Sequence, residues 1–468
     1  MKKSISILLA LLLAVPSFAG DKTEKTNGAP VKEHLKNHFK LYGFIRNYFA
    51  FDSRESVSGT GDLFYYLPKD VNMKDGIDIN ATPSFRFLAL TSRLGVDVSG
   101  YQIGNVHFGA KIEGDFYAGL SNSSNANTNI YFPGNSKISG TATARLRQAY
   151  ATITWKDLPL TKQEKASVGL KIGQAWHPMG ADMPHLFSLE AGAPFGPFSR
   201  TPQVTMDAGL GKNWIISAAA IWQMQYQSAG PVGSSAIYMK YGCTPEVYAA
   251  VAFKTKDFLV RAGVDMVSIK PRVLGTVPAP TTEDPAAVKT VKVSDRKTSL
   301  LCYLYAQYSY KSFGIKAKTT YGEGGEHMNL MSGYAKVGEN PDGSWNYASM
   351  RNSSSWLSMS VGKKWQGVLF VGYVKNLGLS KKNAADGPLA KGDVYFCSNG
   401  FSNINQMYRI NPQLIYNIGK LNVGLEYQWT SVQYGEYAGG KLNARALANT
   451  GLHWVGNHRV NMMVKYNF

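Results

Sequence analysis

Two short segments carry charge at every second residue. Lys111, Glu113 and Asp115 alternate with Ile112, Gly114 and Phe116, and Arg145 and Arg147 lie opposite Leu146 and Tyr150. Residues two apart on an extended strand share a face, so each segment has one charged and one apolar side. Arg46, Arg93, Lys171, Arg261, Lys364, Arg409 and Lys465 fit the polar face of their own predicted strands in the same way. A basic ladder of this kind concentrates anions and guides them along a wet surface. The competing use is structural, with the arginines pairing to Glu113, Asp115, Asp97 and Asp265 and stiffening a wall. The excess of basic over acidic residues favours a net positive lining.

A second constellation lies in His177-Pro178-Met179-Gly180-Ala181-Asp182-Met183-Pro184-His185-Leu186-Phe187. His177, Asp182 and His185 are metal-ligand types, but their spacing matches no zinc signature, and pore-lining or packing roles are the preferred reading. No metal or other cofactor is expected. The segment His177–Ser199 is too apolar and Pro-rich for a solvated external loop, and folding inward as a constriction explains its composition. Gly-x-Ser-x-Gly, His-Glu-x-x-His and Walker motifs are absent, so an enzyme is not expected; a triad assembled from scattered Ser, His and Asp across the barrel rim is the minor alternative.

The strand that positions the rest is the last one. Val460, Met462, Val464, Tyr466 and Phe468 share one face of His458–Phe468, and Arg459, Asn461, Met463, Lys465 and Asn467 share the other. Such alternation suits a strand between lipid and a wet lumen. At the other end, Met1-Lys2-Lys3, an apolar run from Ile5 to Val15 and small residues at Ser17 and Ala19 predict a secretory signal peptide over 1–19. Residues 20–39 read as a short periplasmic segment, and 40–468 as one transmembrane β-barrel domain in the bacterial outer membrane.

Composition agrees. The chain has 468 residues with 27 Tyr, 21 Phe, 9 Trp and 47 Gly, a mean hydropathy of −0.20, and no apolar run long enough for a transmembrane helix. Alternation hides lipid-facing residues from a hydropathy window, and aromatic residues belong at the interfacial girdles. The formal charge of +19 falls to +17 once Lys2 and Lys3 leave with the signal peptide. Because these charges are spread along strands of an exported chain, nucleic acid is not an expected partner. Small anionic solutes, outer-membrane lipid and lipopolysaccharide are. Of three cysteines, Cys302 is expected to face lipid, and Cys243 and Cys397 fall in loops where they are able to pair.

Strands are predicted near 40–52, 84–99, 105–119, 143–156, 166–177, 200–211, 213–227 and 245–255. Eight more are predicted near 257–269, 297–311, 312–323, 353–365, 367–378, 404–418, 420–434 and 456–468. Short turns and long loops alternate without a break, giving an all-β antiparallel barrel of about 16 strands with both ends periplasmic. Leu442–Val455 is assigned to a loop plus the extracellular start of the final strand, because a separate strand there would leave Phe468 on the wrong side.

Several motifs resemble the DcaP-like family of trimeric outer-membrane porins of Gram-negative bacteria. They are Ser92-Arg93-Leu94-Gly95-Val96-Asp97, Ala110-Lys111-Ile112-Glu113-Gly114-Asp115-Phe116-Tyr117, Arg145-Leu146-Arg147-Gln148-Ala149-Tyr150, Ile172-Gly173-Gln174-Ala175-Trp176 and Arg200-Thr201-Pro202-Gln203-Val204. The resemblance covers about the first half of the mature chain. It implies a homotrimer, a third loop narrowing each pore, and passage of small anions such as dicarboxylates. It also implies that Arg93, Arg145, Arg147 and Arg200 are basic pore residues with Glu113 and Asp115 as acidic counterparts. The chain departs from the family in a reduced amino-terminal extension and in Gln148, where His is expected. The resulting expectation is a porin for passive diffusion of small, preferentially anionic solutes. The alternatives are an adhesive or structural barrel acting through its loops, and a barrel phospholipase.

Overall fold

In a computed structural model, the described residues are 38–59, 64–120, 138–382, 387–397, 401–437, 439 and 441–468. The predicted signal peptide, and the amino-terminal segment up to residue 37, lie outside them. Sixteen antiparallel strands close into one barrel. They are β1 (Phe39–Asp52), β2 (Ser84–Leu88 continued by Arg93–Ile103), β3 (Val106–Leu120), β4 (Ile138–Pro159), β5 (Lys165–Trp176) and β6 (Arg200–Leu210). Next come β7 (Trp214–Ile221), β8 (Glu246–Lys254), β9 (Phe258–Ile269), β10 (Lys297–Tyr310) and β11 (Phe313–Glu323). The last five are β12 (Trp345–Gly362), β13 (Trp365–Leu379), β14 (Ile404–Ile418), β15 (Leu421–Glu436) and β16 (Thr450–Asn467).

Closure is made by β1 against β16, with Phe44 opposite Asn467 and Asp52 opposite Arg459. The terminal aromatic residue completes the seam, since the Phe468 amide donates to the Gly43 carbonyl at 3.1 Å. Full closure leaves no unpaired sheet edge, which is the condition for strands to cross lipid. The outer face follows the alternation. Leu425 and Tyr427 of β15 are exposed while Glu426 and Gln428 are buried, and β16 repeats this with Val460 and Met462 against Arg459 and Asn461. Exposed Trp214, Tyr310, Trp365 and Phe468 mark the short-turn end, and Trp222, Tyr321 and Trp454 lie nearer the loop end. This is the apolar band with aromatic girdles that a bilayer requires.

Strand ends differ from the sequence reading for local reasons. β2 breaks at residues 89–92, where Ser92 Oγ accepts from the Arg46 amide and Thr91 Oγ1 from Arg46 Nε, both at 3.0 Å. β7 stops at Ile221 rather than 227, because Gln223 turns the chain by accepting from the Ser228 amide at 2.9 Å. β12 begins at Trp345 rather than 353 and pairs with an extra strand, Gly333–Glu339. The final strand begins at Thr450, with Val455 opposite Val432 of β15, so Leu442–Val455 is loop followed by the start of that strand, as expected.

The cysteines part company. Cys302 is exposed on the outer face of β10, and Cys243 is exposed while Cys397 is buried. Cys243 caps a six-residue helix, Ile237–Gly242, whereas Cys397 packs in the main apolar cluster. They are not bonded to each other, which settles a pairing that the sequence left open.

Candidate pore constriction

Three neighbouring strands bring the first charged site together. Asp115 of β3 stands between Arg93 of β2 and Arg145 of β4 in register. Arg145 grips it with two bonds, Nε to Oδ1 at 2.8 Å and Nη2 to Oδ2 at 3.0 Å. Arg147 bridges both acids, reaching Glu113 Oε1 at 3.0 Å and Asp115 Oδ2 at 2.6 Å. Arg93 Nη1 lies 3.5 Å from Glu113 Oε2. Bidentate, charge-assisted pairs of this kind hold planar guanidinium groups at fixed angles.

Arg46 and Arg200 join the same field, each acted on by the charges of Arg147 and Asp115. Arg200 is buried beside the Trp176 ring, 5.0 Å from its centroid, and donates through Nε to Gln225 at 3.0 Å. Five guanidinium groups therefore face two carboxylates, a local excess of three positive charges. The wall is both a braced structure and a positive surface.

A β-bulge sets this geometry. Glu113 pairs with Gln148 and Gly114 with Leu146, so Arg147 is the extra residue of β4. Each residue beyond it changes face, because one extra residue inverts strand parity. Gln148 turns inward and donates to Glu113 at 3.3 Å. Tyr150, placed on the apolar face by simple alternation, pairs with Lys111 and lies under Lys171, whose Nζ is 5.4 Å from the ring centroid. Tyr150 is thus lumenal, a correction that no residue count from the charged pair would supply.

Opposite this wall the third loop, His177–Ser199, crosses the lumen. It is held by polar bonds along its length. Lys318 of β11 donates to the Met179 carbonyl at 2.6 Å and to the Asp182 carbonyl at 3.1 Å, and Lys316 donates to the Met183 carbonyl at 3.1 Å. The Asp182 carboxylate pairs with Arg261 of β9. The His185 amide donates to Ser358 Oγ at 3.0 Å, and the Phe187 carbonyl accepts from the Tyr48 hydroxyl. Glu190 lies 3.5 Å from Arg409 and 3.4 Å from Arg459, and the Ala193 carbonyl accepts from Arg409 at 3.3 Å.

Aromatic residues of the loop fit sockets left by glycine in the wall. A Cβ on Gly372 of β13 would lie 2.5 Å from Phe195 Cγ, and one on Gly424 of β15 would lie 2.8 Å from Phe187 Cε1. Phe195 and Phe198 join Tyr66, Trp356 and Phe370 in an apolar core inside the barrel. Substituting Gly372→Val should therefore push Phe195 off the wall. We expect about 1–3 kcal/mol lower stability in denaturant titration, with noisier single-channel current from a loosened loop.

The expected site residues now have places. Arg93, Glu113, Asp115, Arg145, Arg147 and Arg200 form the braced wall with Arg46 beside them. Two of the larger cavities touch the loop. One, of about 350 Å³, is lined by Arg46, Lys465, His185 and Phe187 among others. The second, of about 210 Å³, includes Lys171, Arg261, Trp176 and Gln148. Burial, with Lys316 nearby, lowers the His185 imidazole to about 4, so it lines its cavity uncharged at neutral pH. Arg409 is fully buried beneath the loop and serves as its clamp.

His177 joins neither Asp182 nor His185. It is buried at the loop's root with Glu246 and Asp265. Sequence reasoning missed Glu190, Lys318 and Glu246. A signal existed for the first: Glu190 and Asp182 are the only acids in an otherwise apolar loop, and buried carboxylates require cationic partners.

Among solved structures, the chain matches the outer membrane channel DcaP of Acinetobacter baumannii with a TM-score of 0.56 and 17% identity, covering 92% of this chain and 97% of that one. The fold is that of a porin. This porin fold also gives weaker matches. One is the anion-selective porin from Comamonas acidovorans, with a TM-score of 0.48, 10% identity and coverage of 92% and 99%. Another is OmpT, an outer membrane protein of Vibrio cholerae, with a TM-score of 0.46, 10% identity and coverage of 92% and 97%. No family model matches the chain, and no curated protein does.

Proposed function

We propose that the protein is an outer-membrane diffusion channel that favours small anions such as carboxylates or phosphates, and that it works as a homotrimer. The observation that carries this reading is the wall of Arg46, Arg93, Arg145, Arg147 and Arg200, offset within the cluster by Glu113 and Asp115, on a barrel whose third loop is bonded to the inner faces of β9, β11, β12 and β14. The mechanism is passive. A solute leaves bulk water at the narrowed section, where the low-dielectric loop and barrel wall strengthen the field of the fixed guanidinium groups. Anions meet a lowered barrier there and cations a raised one. Several of these arginines are tied to acids, which keeps the field fixed in space without neutralising it.

Planar-bilayer recording tests the proposal. The purified protein should conduct, and a salt gradient should give a reversal potential of the sign set by anion flow. Absence of conductance would remove the channel reading. Cation preference would keep the channel and remove the role given to the arginines.

A further inference from the structure

A second charged cluster has no place in solute passage. His177 at the root of the third loop, Glu246 at the first position of β8 and Asp265 of β9 offer donor atoms that all lie within 4.8 Å of one another. His327, from the 3-10 turn Glu326–Met328 in the loop between β11 and β12, joins them. His177 Nε2 is 2.5 Å from Glu246 Oε1 and 3.7 Å from Asp265 Oδ1. His327 Nε2 is 3.2 Å from Glu246 Oε1 and 3.7 Å from Asp265 Oδ2. All four side chains are at most 3% exposed.

We propose that His177, Glu246, Asp265 and His327 form a buried binding site for one divalent cation of the zinc class. Two imidazoles and two carboxylates are a donor set suited to zinc, and bonds of about 2.0–2.1 Å to a tetrahedral ion place donors about 3.3 Å apart. Three of the four donor separations here, 3.2, 3.7 and 3.7 Å, are near that value. Charge gives a second reason. Glu246 and Asp265 are two carboxylates buried side by side in a dry site, an arrangement that calls for cationic charge, and one divalent ion held by both neutralises the pair in full. Unsatisfied atoms give a third, since Glu246 Oε2 and Asp265 Oδ1 are buried without a hydrogen-bond partner among the described residues.

Two protons move on binding. His177 Nδ1 accepts from the Met179 amide at 3.2 Å, so its proton sits on Nε2, and His327 Nε2 likewise donates to Glu246 Oε1 at 3.2 Å; coordination moves each proton to its own ring's Nδ1, turning the Met179 amide aside at His177. The ion would join the root of the constriction loop to two wall strands and to a second loop. This inference is independent of ion selectivity.

The test uses the full folded protein in detergent, stripped with a chelator and titrated with Zn²⁺, then with Co²⁺ as a spectroscopic stand-in. One metal per chain is expected, with the visible absorption of tetrahedral cobalt. Asp265→Asn and His327→Ala should each weaken binding at least about 100-fold, because loss of a ligand exceeds the 10–100-fold cost of losing an outer partner. His458→Ala, on the outer face, should bind as the parent does. No stoichiometric binding by the parent, or binding that survives both cluster variants, overturns the site and leaves an imidazolium–carboxylate cluster in its place. Should those variants not fold, X-ray absorption of the zinc-loaded parent decides. Two imidazoles within a four-coordinate N/O shell support the site, and a six-oxygen shell or a single imidazole overturns it.

Discussion

Replacing Arg145 and Arg147 together by alanine should sharply reduce anion preference. The pair carries two of the five positive charges at the braced wall, and their removal lowers the local excess from three to one. A unit charge about 8 Å from the solute, in an effective dielectric of about 20, is worth about 2 kcal/mol. Salt in a wet lumen screens much of this, so we expect the anion-to-cation permeability ratio to fall about three- to tenfold. Asp115 also loses its bidentate partner, which adds a stability cost. Arg261→Ala is the contrasting variant, since it removes one positive charge instead of two and that charge, paired with Asp182, lies outside the braced wall, so it should move the reversal potential less. An unchanged reversal potential in the double variant would show that the wall does not set selectivity.

Glu190→Gln should release the constriction loop. The carboxylate is buried and lies between two buried guanidinium groups, Arg409 and Arg459. Asp52 still offsets Arg459, with Oδ1 2.7 Å from its Nε. Arg409 keeps hydrogen bonds to neutral groups, among them Thr430 and the carbonyls of Ala193 and Tyr66. Removing one member of a buried ion pair costs about 3–5 kcal/mol, because the other charge is left in a dry site. Urea unfolding should register that loss. Single-channel conductance should rise as the loop leaves the lumen. Parental stability with parental conductance would mean that the apolar sockets at Gly372 and Gly424 hold the loop unaided.

The barrel was legible because its signal is local and repeats. Alternation in β15 and β16 names the lumenal and outer faces residue by residue, and alternating turn and loop lengths give the strand number. The apolar character of His177–Ser199 likewise announced an inward loop. What alternation could not show is where it breaks. The bulge at Arg147 is a pairing event between β3 and β4, invisible along β4 alone, and it moved Tyr150 to the lumen. The partners of His177 were illegible for a related reason, since Glu246, Asp265 and His327 lie 69 to 150 residues away, on separate strands and a loop.

The architecture is written along the chain: period-two patterning, a terminal aromatic strand and the loop rhythm specify a closed sheet facing lipid outside and charge within. The division of labour among the charges came from folding. Arg145 and Arg147 brace the wall they line by pairing with Asp115 and Glu113, whereas Arg409 clamps the loop and His177 enters a buried cluster. The reason is physical. Which face a side chain takes follows from local backbone periodicity, whereas its partner follows from cross-strand register and barrel closure, which bring together residues far apart in the chain.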